Sequence, residues 1–115
     1  MLIHLNGMPG VGKLTVAQIL ADRLSAHLID NHSIINAAYV PGHAHGSDGY
    51  LRTLQALNTL LYQELNRPDA PKNLIFTNAL ATEYGPDAER FQAVVDLATQ
   101  RGDHFVPVLL SCDLE

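Results

Sequence analysis

The sequence predicts an α/β protein whose parallel sheet is covered by helices on both faces. Two observations carry this. Short, almost wholly apolar segments alternate with longer segments in which apolar residues recur at helical spacing. Right-handed crossovers then put the carboxyl end of every strand on the same edge of the sheet.

Taken in order, Leu2–Asn6 reads as a strand broken by Gly7. Val16, Ile19, Leu20 and Leu24 follow at helical spacing, and the helix fades near His27. Leu28 and Ile29 lead into Asp30 as a short second strand. Residues 31–49 are the least regular stretch. Ser33–Tyr39 offers a helical turn or two, stopped by Pro41-Gly42, and residues 42–49 read as a mobile loop. Leu51, Leu54, Leu57, Leu61 and Leu65 mark the expected buried stripe of a long helix that ends at Pro68 and Pro71. A third strand is expected over Asn73–Ala79. Pro86 then suits the first turn of a helix carrying Phe91, Val94, Val95 and Ala98, with Gly102 at its exit. Phe105–Cys112 is the fourth strand.

Ligands of open parallel sheets bind at the carboxyl edge of the strands. Asn6–Gly12, Asp30, Thr77-Asn78 and Cys112-Asp113 all fall there, with Cys112 read as a strand-end packing residue. The first of these is the most informative. Gly7, Met8, Pro9, Gly10, Val11, Gly12, Lys13, Leu14 and Thr15 follow a strand and open a helix. Glycine, four residues, then Gly-Lys is the spacing of a phosphate-cradling loop. Glycines allow positive φ and turn successive N–H groups toward phosphate oxygens. The helix N-terminus adds about half a positive charge at the same point. Lys13 is the residue expected to reach the β- and γ-phosphates of ATP. Leu14 stands where a hydroxyl usually follows the lysine, so the hydroxyl for Mg²⁺ falls to Thr15.

That loop resembles the loop of adenylate kinases and related small-molecule kinases, in which a non-hydroxyl residue can precede the threonine. Leu28-Ile29-Asp30-Asn31-His32 with Asn36, and Phe76-Thr77-Asn78, resemble a group of bacterial kinase-like P-loop proteins often labelled AAA-family ATPases or shikimate-kinase-like. The resemblance implies a three-layer P-loop NTPase fold with strand order 2-3-1-4. It makes residues 1–115 a single nucleotide-binding domain, with 31–52 as its acceptor-side segment. It also implies transfer of phosphate from ATP to a small hydroxylated or nucleotide acceptor, with Mg²⁺ held by Thr15 and Asp30.

Asp30 has two readings. As in similar kinases, its carboxylate would orient an acceptor hydroxyl or take its proton late; alternatively it caps a turn or helix. His32 and Asn36, with Asn31, are candidates to line the acceptor pocket, and Arg52 to hold an anionic acceptor, although exposed helical arginine is the commoner finding. His43 and His45 have no cysteine or third histidine nearby at ligand spacing, which argues for a substrate-closing loop over a zinc site. Thr77-Asn78 departs from the many P-loop proteins that carry an aspartate at a central strand end.

Similar kinases continue past the fourth strand into an arginine-bearing lid, a fifth strand and a helix. The sequence has no lysine or arginine after Arg101, and the fold is expected to be truncated after the fourth strand. A nucleotide-binding module without catalysis is therefore the alternative to a kinase. An oligomeric AAA-type motor is disfavoured, because the sequence offers neither sensor arginines nor a following helical domain. The fourth strand would lie at a sheet edge, where an apolar strand invites homodimerisation; Pro107 removes one donor. A net charge of −5, with seven scattered lysines and arginines, argues against a nucleic-acid partner. The lone cysteine, the absence of a cationic leader and the lack of any membrane-length apolar run lead to a cytoplasmic expectation.

Overall fold

The computed structural model of the protein describes residues 1–7, 12–80 and 85–111. Its elements follow the order β1 (Leu2–Gly7), α1 (Lys13–Leu24), β2 (His27–Asp30), α2 (Asn31–Tyr39), α3 (Asp48–Leu65), β3 (Leu74–Asn78), α4 (Gly85–Arg101) and β4 (Phe105–Leu110). The four strands form one parallel sheet in the order β2-β3-β1-β4, as expected. Chain contacts group into two compact units, Met1–Ile29 with Pro71–Glu115, and Asp30–Ala70.

In the first unit β1 is central. It pairs in parallel with β3, Leu2 opposite Leu74 and Asn6 opposite Asn78, and with β4, Leu2 opposite Phe105 and Gly7 opposite Leu110. Alternation along β1 divides its side chains between two faces. Ile3, Leu5 and Ile75 pack with Ala17 of α1, and Val16, Leu20, Leu24, Val106 and Val108 complete that cluster. His4 on the other face meets Phe91 of α4 edge to face at 5.4 Å, and Phe91 meets Phe105 at 5.9 Å. Leu97, not among the residues expected to pack, is buried on α4 together with Val94 and Ala98.

At the opposite end of the sheet from the glycine-rich turn, Arg101 acts as a clamp. Its Nε donates to Asp103 at 2.6 Å and a terminal nitrogen donates to the Pro71 carbonyl at 2.6 Å. The last arginine of the sequence thus joins the end of α4 to the segment that leads into β3.

The second unit has a small core of its own, Ala38, Tyr50 and Leu54, against which Ile34, Ile35, Tyr39 and Leu57 pack. Two expectations are corrected here. The α2 helix starts directly after Asp30 and is longer than the turn or two expected over Ser33–Tyr39. The buried stripe of α3 begins at Tyr50, not Leu51, which is 46% exposed. The stripe stays in helical phase through Leu54 and Leu65 when it starts one residue earlier, and Tyr50 stacks on Tyr39 with ring centroids 4.1 Å apart.

The segment expected to be a mobile loop is fastened at several points. His45 Nδ1 lies 2.9 Å from the Tyr39 hydroxyl, and the Gly46 N–H donates to the same oxygen. His43 Nε2 lies 3.0 Å from Thr53 Oγ1, whose own proton goes to the Gly49 carbonyl. Thr53 therefore accepts from an Nε2–H of His43. Ser47 caps α3 by accepting from the Tyr50 N–H.

The imidazole of His43 lies where a side chain at Gly49 would project, since a Cβ there would sit 2.5 Å from Nδ1. Alanine in a helix is ordinarily about 0.5–1 kcal/mol more stable than glycine. Gly49→Ala should instead lower stability by about 1 kcal/mol, an overpacking effect. In a His43→Ala background the same change should become stabilising. Urea denaturation of the four proteins in this cycle measures both signs.

Candidate functional site

The carboxyl end of β1 turns at Gly7, and the first unit brings the described parts of the glycine-rich turn together there. Gly12 has φ 81° and is the N-cap of α1, a left-handed conformation that a side chain would strain. Helix bonding starts from its carbonyl, which accepts from the Val16 N–H at 3.1 Å. Among the described residues no side chain caps this helix, whose N-terminus carries the positive end of the helix dipole. Lys13 is half-buried, and its ammonium donates to the Gly7 carbonyl at 2.7 Å. The end of β1 and the first residue of α1 are thereby tied together. Leu14 and Thr15 are exposed on the same first turn, which leaves the Thr15 hydroxyl accessible. Met8, Pro9, Gly10 and Val11 lie outside the described residues, as do Cys112 and Asp113.

Around this turn lies a polar network that was not anticipated. His4 and Asn6 alternate on one face of β1. Asn6 makes two bonds to Leu80: its amide nitrogen donates to the Leu80 carbonyl at 2.9 Å, and its carbonyl oxygen accepts the Leu80 N–H at 2.8 Å. His4 Nε2 lies 3.1 Å from Asn78 Oδ1, an acceptor, which places a proton on Nε2. His4 is fully buried, and its Nδ1 has no hydrogen-bond partner among the described residues. Burial holds its pKa below the ordinary value of 6.5, opposed in part by the bond to Asn78. The strand-end Asn78 is thus engaged within the sheet. Thr77 beside it is buried, 3% exposed. The available signal in the sequence was a histidine and an asparagine two residues apart in an otherwise apolar strand.

The remaining expected site residues belong to the second unit. Asp30 closes β2 and is the N-cap of α2. One carboxylate oxygen accepts from the His32 N–H and the other from the Ser33 hydroxyl, both at 3.4 Å. The capping reading of Asp30 is therefore realised, and Asn31 and His32 form the first turn of the helix that it caps. His32 and Asn36 are exposed on α2. Arg52 is exposed on α3 and lines an open groove of about 450 Å³ with Gln55, Ala56, Thr59, Leu60 and Gln63. The groove is lined from α3 alone and takes in none of Asp30, His32 or Asn36.

Among the described residues no group of three or more His, Cys, Asp or Glu side chains is arranged to hold a metal ion, and His43 and His45 are used in the bonds given above. No described helix is long and apolar enough to cross a membrane.

With this geometry the chain was compared with known proteins. No protein-family profile and no curated protein matches the sequence. A crystal structure described as that of a "putative kinase" from Chloroflexus aurantiacus superposes over 95% of this chain with a TM-score of 0.65 and 20% sequence identity. The chain spans 58% of that protein's length. At this identity the likeness is one of fold.

The depressed pKa of His4 has a consequence for stability. The unfolded histidine protonates near 6.5 while the folded one stays neutral to lower pH, so the unfolded state binds the extra proton first. Its contribution is complete above pH 6.5 and is lost as pH falls from there through the folded pKa. Between pH 7 and pH 5 the melting temperature of the wild-type protein should fall more steeply than that of His4→Leu, which has no imidazole to titrate. Parallel slopes in the two thermal series would contradict this.

Proposed function

We propose that the protein binds ATP through the turn from Gly7 to Thr15 and that it supports phosphoryl transfer to a small hydroxylated or nucleotide acceptor. The observation that carries the reading is the turn itself. A central parallel strand ends at Gly7, Gly12 holds a left-handed φ at the N-terminus of a helix, and the Lys13 ammonium lies against the Gly7 carbonyl. Each of these features suits phosphate oxygens. Lys13 would exchange its bond to the Gly7 carbonyl for the β- and γ-phosphates. The exposed Thr15 hydroxyl would serve Mg²⁺. The kinase description of the Chloroflexus protein supports the same class of reaction, through shared fold.

Asp30 is the proposed carboxylate for the acceptor hydroxyl, with His32, Asn36 and Arg52 as acceptor-side residues. One observation favours the alternative of a nucleotide-binding module without catalysis: the Asp30 carboxylate already serves as the α2 cap. The two readings differ in what Asp30→Asn does. Asparagine is also a good N-cap, so the helix should survive the change.

Lys13→Ala should abolish ATP binding measured by calorimetry with Mg²⁺ present, and unchanged affinity would remove the phosphate-site reading. Asp30→Asn should leave ATP affinity within about twofold while lowering acceptor-dependent ATP consumption about a hundredfold, the range of general-base loss. The screen would cover sugars, shikimate-like acids and nucleotides. Equal consumption by both proteins would take Asp30 out of the chemistry.

The free edge of β4 is the proposed self-association surface. In the observed strand order it is an edge, Leu109 is 75% exposed, and Pro107 removes only one backbone donor. Light scattering of the chain at increasing concentration should show a dimer, which Leu109→Lys should shift toward monomer. A concentration-independent monomer would contradict the proposal.

A further inference from the structure

We propose that the outer face of α3 pairs with the same face of a second copy of this chain, antiparallel, about a two-fold axis near residue 58. The surface belongs to the second unit, and the proposal is independent of the phosphate-site reading. It gives Arg52 a role besides the acceptor contact proposed above.

Tyr50, Leu54 and Leu65 turn one side of α3 inward. The other side is exposed in two adjacent rows at four-residue spacing, one of them Arg52, Ala56, Leu60 and Glu64. Such a row is one of the ridges through which helices pack on each other. The order of residues along it is self-complementary. A cation stands at one end and an anion at the other, with a small and then a large apolar residue between. Arg52 and Glu64 are equally far from residue 58, and so are Ala56 and Leu60. A two-fold axis there sets each Arg52 opposite Glu64 of the second copy and each Leu60 opposite its Ala56, as an isologous interface requires. A parallel pair in the same register would instead set arginine against arginine.

The shape of the face agrees with its charge. Arg52, Gln55, Ala56 and Thr59 stand at i, i+3, i+4 and i+7, the four corners of a hole on a helix surface. Ala56, Thr59, Leu60 and Gln63 form the next hole, and these six residues line the open groove of about 450 Å³. Alanine leaves the first hole open, and Leu60, 56% exposed, is an apolar side chain free to enter it from the second copy.

The charges are available as well. Among the described residues Arg52 takes part in no ion pair. Glu64 reaches Arg67 at 3.8 Å and stays exposed, so it is open to a second partner. Exposed ion pairs add little affinity, whereas like charges brought face to face are costly, so the row acts chiefly to select the antiparallel orientation. About four turns of one helix, roughly 20 Å in length, bury less than the roughly 1,000 Å² of a stable interface. The pairing is therefore weak and dependent on concentration.

Sedimentation equilibrium of Leu109→Lys, in which the β4 edge is blocked, tests this surface by itself. Reversible dimerisation is expected as the protein concentration rises. Arg52→Glu and Glu64→Arg, each made in that background at an exposed helix position, should raise the dimer Kd about tenfold without changing the circular dichroism. The double reversal, Arg52→Glu with Glu64→Arg, should return the Kd to within about threefold of Leu109→Lys, because opposite charges face each other again. An equimolar mixture of the two single variants should likewise associate more tightly than either alone. A merely structural role of these residues in α3 would give neither restoration. A Leu109→Lys protein that stays monomeric at every concentration overturns the proposal. So does a dimer that ignores the single reversals or is not restored by the double one. Each of these outcomes leaves the phosphate-site reading as it stands, since that reading is tested by ATP binding.

Discussion

The pairing of β1 with a parallel neighbour on each side is the constraint on which the sheet unit depends. It fixes the carboxyl ends of β1, β3 and β4 on one edge, with Asn6 opposite Asn78 and Gly7 opposite Leu110. A strand buried on both faces favours apolar residues throughout. Four of the six residues in Leu2–Gly7 do not depart from that demand, counting Gly7 with Leu2, Ile3 and Leu5, while His4 and Asn6 do. Both departures are on one face and both are matched by partners from the end of β3. A buried polar group left unpaired costs about 1–3 kcal/mol, so the bonds to Asn78 and Leu80 are conditions for this strand to occupy the centre of the sheet. The exception is His4 Nδ1, which remains a local cost and is most easily tolerated when it carries no proton.

The same strand end also sets the local chemistry. A glycine-rich turn is worth little as a phosphate site if its shape is undefined. Here the strand delivers Gly7 and the helix delivers Gly12 and Lys13, and a charge-assisted bond of 2.7 Å joins the two sides. The ammonium is thereby held against the carbonyl at the end of β1. In this arrangement the scaffold and the candidate site share atoms, which is why changes in the sheet interior are expected to be read out in ligand affinity.

The helical unit follows a different logic. Its core is small, and aromatic stacking of Tyr39 on Tyr50 is supplemented by side-chain bonds that fix the intervening segment. Glycine at 49 is needed because the His43 ring occupies the space beside it. Sequence reading made this segment a mobile loop, since Gly, His, Ser and Asp in succession are ordinary loop residues. The bonds made by its two histidines join residues further apart on the chain, His45 to Tyr39 and His43 to Thr53. Composition carries no sign of such pairings. The offset of the α3 stripe has a related cause: Tyr50 can be either a core or a surface residue, and its stacking partner on α2 decides which.

Whereas the strand order 2-3-1-4 was implied by the resemblance to small-molecule kinases, the sequence by itself determined the alternation of strands and helices, the parallel sheet, and the glycine and lysine spacing after the first strand. These follow from local periodicity and from the backbone freedom of glycine, both of which are written along the chain. Only the tertiary structure decided that Asp30 caps α2, that Asn78 is committed to His4, and that Asn6 completes the β3 exit at Leu80. A polar side chain has several partners open to it, and the partner it takes depends on which distant backbone the fold brings within hydrogen-bond reach. For Asn6 that backbone lies 74 residues away.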